Sequence, residues 1–348
     1  MKYTSTLKLI LFSCFCAFLA VSCVKEGPMG PAGTDGKDGV DGQDGVDGVD
    51  GNITCLVCHT NENMNAVKSQ FAVSLHASGG ATARSSSNQC APCHSHEGFL
   101  EMLLTGNDTT YAGFSHPTVM NCETCHSSHV SFDFVNDGQD YALRTVEPVN
   151  LMLYADPTKV IDYGNNSNLC VNCHQPRNSY PVPGSNGENT VNISSSRYGP
   201  HHGPQGTLIE GIGCWEYPGS TPYPGTKTST HRNEGACTLC HMADYENNEG
   251  GHTWHASLES CKTCHTSATS FDVNGVQTEV QELFAQLHDA LLERGAITAS
   301  GSRVPGTFPL NIGGATWNYA TILEDRSNGV HNPDYIIAVL KNSIEALN

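Results

Sequence analysis

Six copies of one short motif, Cys-x-x-Cys-His, contain most of the 16 cysteines of the chain. Each copy places two thiols three residues apart, with an imidazole directly after the second thiol. This spacing indicates covalent attachment of haem c, because two thiols can add to the vinyl groups on one porphyrin edge while the adjacent imidazole binds the iron. Structural zinc sites and disulfide scaffolds do not require a histidine at that fixed position. The cysteine pairs are Cys55 and Cys58, Cys90 and Cys93, Cys122 and Cys125, Cys170 and Cys173, Cys237 and Cys240, and Cys261 and Cys264; the motif histidines are His59, His94, His126, His174, His241 and His265.

The histidines outside the motifs are numerous enough to give every iron a second imidazole. The chain has 17 histidines, so more remain than six haems require. Methionine is the other common axial ligand, but the methionines show no regular relation to the motifs. The sequence therefore predicts six haem c groups, each with two axial imidazoles.

Beyond the motif itself, residues 52–348 resemble the multihaem c-type cytochromes of respiratory and extracellular electron transfer. Ser74-Leu75-His76-Ala77 is similar to a phrase that often supplies a distal ligand in that family, and further histidine phrases occur at 116–117, 125–129, 201–205, 250–253 and 329–335. His231 is the first substitute, followed by His255 and His202. The resemblance implies these distal ligands: His76, His116, His129, His201, His252 and His331.

The expected fold is mostly irregular with short α-helices and little β-structure, around a haem stack that serves as the core. The motifs lie in polar sequence rich in Gly and Ser, which predicts loops and short helices. Two longer helices are predicted near the C-terminus. The first begins at a capping box on Thr278 and ends at Gly295, and the second follows Asn332 and runs over 333–346.

The N-terminal residues have the features of a signal for export. Residues 1–22 have the Lys-flanked apolar run of a signal peptide, and Ala20-Val21-Ser22-Cys23 resembles the lipobox of bacterial lipoproteins. Residues 23–51 follow as a Gly-X-Y repeat of collagen type, expected to act as an extended spacer. The alternative to a lipoprotein signal at Cys23 is a plain signal peptide, whose cleavage would leave a soluble protein. The haem-binding domain is then 52–272, and 273–348 is a helical region that supplies one distal ligand.

The function expected from these features is electron transfer, with the protein as an extracellular or outer-membrane conduit, or as a subunit of a cytochrome filament. A multihaem reductase of a small oxyanion, with one open haem, is the alternative. The formal charge of −18 argues against nucleic acid as a partner. Redox proteins or extracellular acceptors are the expected partners, and self-association stays open. The expected location is the outer membrane at the cell surface, with the periplasm as the alternative.

Replacing Cys23 tests the predicted anchor. Cys23→Ala should release the haem protein from the membrane fraction, because acyl chains on this residue would be its attachment. Cys14→Ala is the matched control and should leave the protein membrane-bound. A Cys23→Ala protein that sediments with membranes as fully as the parent would place the anchor elsewhere. Fractionation followed by haem staining measures both variants.

Overall fold

The computed structural model describes residues 55–348, apart from 57, 134–135, 137–139, 155, 157, 178–179 and 185–186. The predicted signal peptide 1–22, the Gly-X-Y spacer 23–51 and the proposed anchor Cys23 lie outside the described residues. Within the described part, no helix has the length and apolar character needed to cross a membrane.

Short helices joined by irregular segments make up most of the described chain between residues 55 and 275. Several begin at a Ser or Thr whose hydroxyl accepts a backbone N–H of the first turn, as Thr60, Ser74, Ser95 and Ser257 do. Such caps allow a helix of one or two turns to form at a defined residue. The helices are α1 Asn61–Ala72, α2 Leu75–Ser78, α3 Ala91–His94, α4 His96–Thr105, α5 Cys122–Cys125, α6 Ser167–Val171, α7 Gln205–Glu210, α8 Thr230–Glu234, α9 Thr238–His241 and α10 Leu258–Lys262, with 3-10 turns at Thr82–Ser86, Gly251–Thr253 and Val273–Gly275.

The β-structure of the described residues consists of two small antiparallel sheets. Strand β1 (Val149–Asn150) pairs with β2 (Val160–Ile161), with Val149 opposite Ile161. Strand β3 (Thr190–Ile193) pairs with β4 (Gly306–Pro309), with Val191 opposite Phe308. The second sheet joins the middle of the chain to its C-terminal part.

Three longer helices form the C-terminal part: α11 (Val276–Glu293), α12 (Leu310–Asp325) and α13 (Pro333–Glu345). Helices α11 and α13 were predicted, but the capping box at Thr278 is wrong. Helix α11 begins after Gly275, and Asp272 accepts the backbone N–H groups of Gln277 and Thr278 instead. Asn332 caps α13 as expected, accepting the N–H of Tyr335.

Helix α12 was not predicted from the sequence, because Gly313 and Gly314 weaken its intrinsic helix propensity. Tertiary packing explains both glycines. A Cβ on Gly313 would lie 2.3 Å from Cβ of Val191, and one on Gly314 would lie 2.4 Å from the Tyr217 hydroxyl oxygen. The absent side chains let strand β3 and the 215–217 segment approach the helix closely.

An aliphatic core joins the three C-terminal helices. It contains Leu287, Leu291, Ile336 and Leu340, all fully buried, and it extends to Leu208 of α7. Only 38 % of the residues of the whole chain are hydrophobic, so a core of this size depends on where they lie. The apolar residues are concentrated in the amphipathic faces of α11 and α13, which pack against each other.

Truncating this core should destabilise the protein. Leu340→Ala leaves a cavity among fully buried side chains and should lower the free energy of unfolding by about 2–5 kcal/mol. Leu323→Ala, on the exposed side of α12, is the matched control and should cost under about 1 kcal/mol. Guanidinium unfolding followed by circular dichroism measures both changes. Equal losses for the two variants would contradict the assignment of Leu340 to the core.

Candidate functional site: six imidazole pairs

One helical turn gives each motif its geometry. In five of the six motifs the backbone N–H of the histidine donates to the carbonyl of the first cysteine, at 2.8–3.0 Å. The remaining motif, 90–94, continues as helix α3. Positions one, four and five of such a turn share one face. Both thiols and the imidazole of a motif therefore lie on the same side, as attachment to a single porphyrin requires. None of the described cysteines forms a disulfide with another.

Each motif histidine lies against a second imidazole that comes from a distant part of the chain. The ring centroids are 6.1 Å apart in two pairs and up to 6.5 Å apart in the others. We number the sites by their motif: site 1 is His59 with His129, site 2 is His94 with His201, site 3 is His126 with His252, site 4 is His174 with His76, site 5 is His241 with His331, and site 6 is His265 with His231.

These separations fit one iron between each pair of rings. A metal–imidazole bond is about 2 Å and the ring centre lies about 1.2 Å beyond the nitrogen, so two imidazoles on opposite sides of one iron have centroids about 6.3 Å apart. Aromatic rings in direct contact span about 4.5–7 Å, so a shared iron is indicated because all six motif histidines have a partner at nearly the same separation, between 6.1 and 6.5 Å. All six pairs thus have the spacing that a bis-imidazole haem needs.

The structure pairs five of the six predicted distal histidines with a motif histidine: His76, His129, His201, His252 and His331. The sixth, His116, is exposed, and within the described residues no imidazole pairs with it. His231, the first substitute in the prediction, lies opposite His265 instead. The physical reason is tertiary, because helix α8 carries His231 to the motif at 261–265.

A buried carboxylate holds helix α8 in that position. Glu210 of α7 is 1 % exposed, and its Oε2 accepts from Arg232 Nε at 2.7 Å, while Lys227 lies 3.6 Å away. Arg232 also donates to the carbonyl of Asp162. Since Arg232 follows His231 directly, this ion pair fixes the imidazole of site 6. A buried carboxylate with such partners is costly to disturb.

The remaining histidines have other surroundings. His96 Nδ1 lies 2.9 Å from the Thr124 hydroxyl, and His288 contacts Asp289 and the ring of Tyr319. His202 and His255 are exposed, and His202 Nδ1 lies 2.7 Å from a carboxylate oxygen of Glu324. His288 therefore packs against Tyr319 and belongs to none of the six pairs.

Several paired imidazoles use Nδ1 to hold their orientation. His241 Nδ1 lies 2.8 Å from the carbonyl oxygen of Trp254, His126 Nδ1 2.9 Å from that of Tyr141, and His231 Nδ1 2.6 Å from that of Val330. A carbonyl accepts, so Nδ1 carries the proton and Nε2 is left as the metal-binding nitrogen.

Burial keeps the imidazoles of two sites neutral. It lowers the pKa of His76 to about 4, with a smaller effect from His174, and it lowers the pKa of His201 to about 4, with His202 adding to the shift. Neutral imidazole is the form that binds a metal. These surroundings therefore favour the metal-binding state at ordinary pH.

Neighbouring motifs contact one another through their cysteines. Cys93 Sγ donates to the carbonyl oxygen of Asn172 at 3.9 Å, and Cys173 Sγ donates to that of Pro92 at 4.0 Å. The backbone N–H of Cys237 donates to the hydroxyl of Ser167, at the start of the helix that carries Cys170, at 3.1 Å. The motif at 170–174 therefore lies between those at 90–94 and 237–241. The next contact joins the motif at 237–241 to helix α10, because the carbonyl of Cys240 accepts the N–H of its N-cap residue, Ser257, at 3.0 Å. Sites 2, 4, 5 and 6 thus form a continuous series.

Trp254 connects three of the sites. Its ring centroid lies 4.6 Å from that of His76 of site 4 and 5.4 Å from that of His252 of site 3. Its carbonyl oxygen accepts from His241 of site 5. The backbone of Trp254 is left-handed, with φ of 56°, which is a strained conformation for a bulky residue. Sequence analysis did not select Trp254, since only the folded chain shows its neighbours.

No family model matches the chain, and no curated protein does. Among solved structures, the crystal structure of the outer cell wall cytochrome OcwA matches with a TM-score of 0.50 and 20 % identity, covering 80 % of this chain and 50 % of that one. This chain therefore aligns with about half of the OcwA chain. At this identity the likeness shows the fold alone. It confirms the predicted fold class, which is mostly irregular with short helices and little β-structure, as in a multihaem cytochrome.

Proposed function

We propose that this protein binds six haem c groups and serves in electron transfer. The six imidazole pairs, each with the separation that one iron between two rings requires, are the observation that supports the proposal. The motif cysteines would hold each haem covalently, and the two histidines of each site would be its axial ligands. When bound, a bis-imidazole haem supplies a one-electron redox centre with both axial positions filled.

The distal ligands in this proposal are His129, His201, His252, His76, His331 and His231 for sites 1 to 6. Each comes from a segment distant from its motif, so the chain closes both sides of every site with its own residues. Filled axial positions favour electron transfer over the alternative, a reductase with an open haem. Ammonia-forming nitrite reductases typically carry their open haem on a Cys-x-x-Cys-Lys motif. The sequence contains no such motif, which agrees with this choice.

The order of the sites supports transfer from one to the next. The cysteine contacts connect site 2 to site 4, site 4 to site 5, and the site 5 motif to the helix that carries the site 6 motif. His126 of site 3 and His129 of site 1 belong to one short segment, and Trp254 joins sites 3, 4 and 5. The chain thus holds all six sites in one connected group.

The proposed location is the outer surface of the cell. The signal segment would export the chain, Cys23 would carry the lipid, and the Gly-X-Y spacer would hold the haem-binding part away from the membrane. Redox proteins or extracellular acceptors would be its partners. Assembly into filaments stays a prediction.

A haem count tests the proposal. Protein matured with c-type haem machinery should show six covalent haem adducts by denaturing mass spectrometry, and its oxidised form should be entirely low-spin by electron paramagnetic resonance. It should also take up six electrons reversibly in a redox titration. Replacing both Cys261 and Cys264 by Ala should give five adducts, whereas Cys214→Ala, outside the motifs, should leave six. A parent protein with fewer adducts, or with a high-spin haem, would contradict the proposal.

A matched pair of histidine variants tests the sixth site. His231→Ala should convert one haem of the six to high-spin, because site 6 loses an axial imidazole, while the adduct count stays at six. His116→Ala should leave the spectrum fully low-spin. The reverse result, with a high-spin haem in His116→Ala and none in His231→Ala, would restore His116 as the distal ligand.

A further inference from the structure

The paired imidazoles differ in the group that accepts from Nδ1. At His126, His231 and His241 it is a backbone carbonyl, and at His174 it is the side-chain amide oxygen of Gln205, 3.4 Å away. His331 differs from these four because its acceptor is a carboxylate. Its Nδ1 lies 2.6 Å from Oδ1 of Asp325. At His129 of site 1, a carboxylate oxygen of Asp140 lies at the longer distance of 3.7 Å.

The carboxylate of Asp325 is fixed in place. Its side chain is 1 % exposed at the end of helix α12, and its second oxygen accepts from the hydroxyl of Ser327. That hydroxyl in turn accepts the backbone N–H of Gly329, at 3.2 Å, and of His331, at 3.4 Å. The turn that presents His331 to site 5 is thus built around Asp325.

The local electrostatics are strong because the pair is buried. The side chains of His331 and Asp325 are 16 % and 1 % exposed, so solvent screens the carboxylate charge little. A carboxylate acceptor makes a metal-bound imidazole a more basic ligand, and a fixed negative charge in a medium of low dielectric acts over several ångströms. Both effects favour the oxidised state of an iron bound to that imidazole.

We propose that Asp325 gives site 5 the lowest reduction potential of the six sites. The inference rests on the proposed function, and Asp325 acts in it as a positioning residue through His331. Because the cysteine contacts place site 5 between sites 4 and 6, an electron that moves along this part of the series would pass through the site of lowest potential. The sequence offers no signal for this role, since nothing in the segment before Gly329 distinguishes Asp325 from the neighbouring Glu324.

The test uses the full-length holoprotein and a redox titration monitored by electron paramagnetic resonance. His331→Ala first identifies the transition of site 5, because that haem alone becomes high-spin. Asp325→Asn keeps an oxygen acceptor for Nδ1 but removes the charge. It should retain six low-spin haems and shift the site 5 transition upward by about tenfold or more in the reduction equilibrium, equal to about 59 mV or more for one electron.

Glu324→Gln is the matched control. Glu324 precedes Asp325 directly and its carboxylate contacts His202, which belongs to none of the six pairs. This variant loses the same charge and should leave the site 5 transition in place. An equal shift in both variants, or a shift in Asp325→Asn that affects a different transition, would overturn the proposal. So would an unchanged titration.

Ser327→Ala covers the case in which Asp325→Asn fails to fold. Loss of the hydroxyl donor leaves more of the carboxylate charge to His331, so the site 5 transition should move downward, opposite to Asp325→Asn. An unchanged or raised site 5 potential in Ser327→Ala would overturn the proposal. A parent protein without six reversible redox centres would instead contradict the proposed function, so the two failures are distinguishable.

Discussion

Two imidazoles held about 6 Å apart by distant parts of the chain form the contact around which this protein is organised. His76 meets His174, and His94 meets His201, across long stretches of sequence. His76 and His94 lie in helices of four residues each, which would be marginal in isolation, and His174 and His201 lie outside any helix. An iron between each pair would act as a cross-link that stabilises them, in the way that a structural metal stabilises other small folds.

The C-terminal helices are stabilised in a different way. Their aliphatic core is independent of the imidazole pairs and gives the molecule a conventionally packed region. From the ends of these helices come His331, the carbonyl that orients His231, and the carboxylates of Asp325 and Glu324. Rigid packing behind these groups matters because the orientation of an axial ligand and the position of a nearby charge both affect haem potential. This region therefore holds the side chains and the carbonyl of sites 5 and 6 in position.

Contacts between neighbouring sites constrain the backbone and side chains around them. Trp254 adopts a left-handed backbone in which its ring lies against His76 and His252 while its carbonyl accepts from His241. A residue in such a conformation persists when its surroundings determine it strongly. The cysteine contacts between motifs also restrict the positions of sites 2, 4 and 5 relative to one another. A connected set of sites would suit the proposed transfer of electrons between them.

The sequence by itself determined the parts of each site that are local. Two cysteines and a histidine within five residues fall on one face of a helical turn wherever the turn lies, so the six motifs could be recognised without the fold. Helices α11 and α13 were equally local, because their apolar stripes and end signals lie within their own segments. Helix α12 could not be found this way, since its glycines are explained only by Val191 and Tyr217 across the interface.

The tertiary structure decided which second imidazole meets each motif. Local phrases around His76, His129, His201, His252 and His331 resemble those of known cytochromes. Only the folded chain shows that His231, next to Arg232 of the buried ion pair with Glu210, lies opposite His265, whereas His116 is exposed. The same holds for Asp325 and Trp254, whose neighbours come from other segments. Covalent attachment is a short-range requirement, readable from spacing, whereas a second ligand and its charge environment depend on distances that only the packed chain defines.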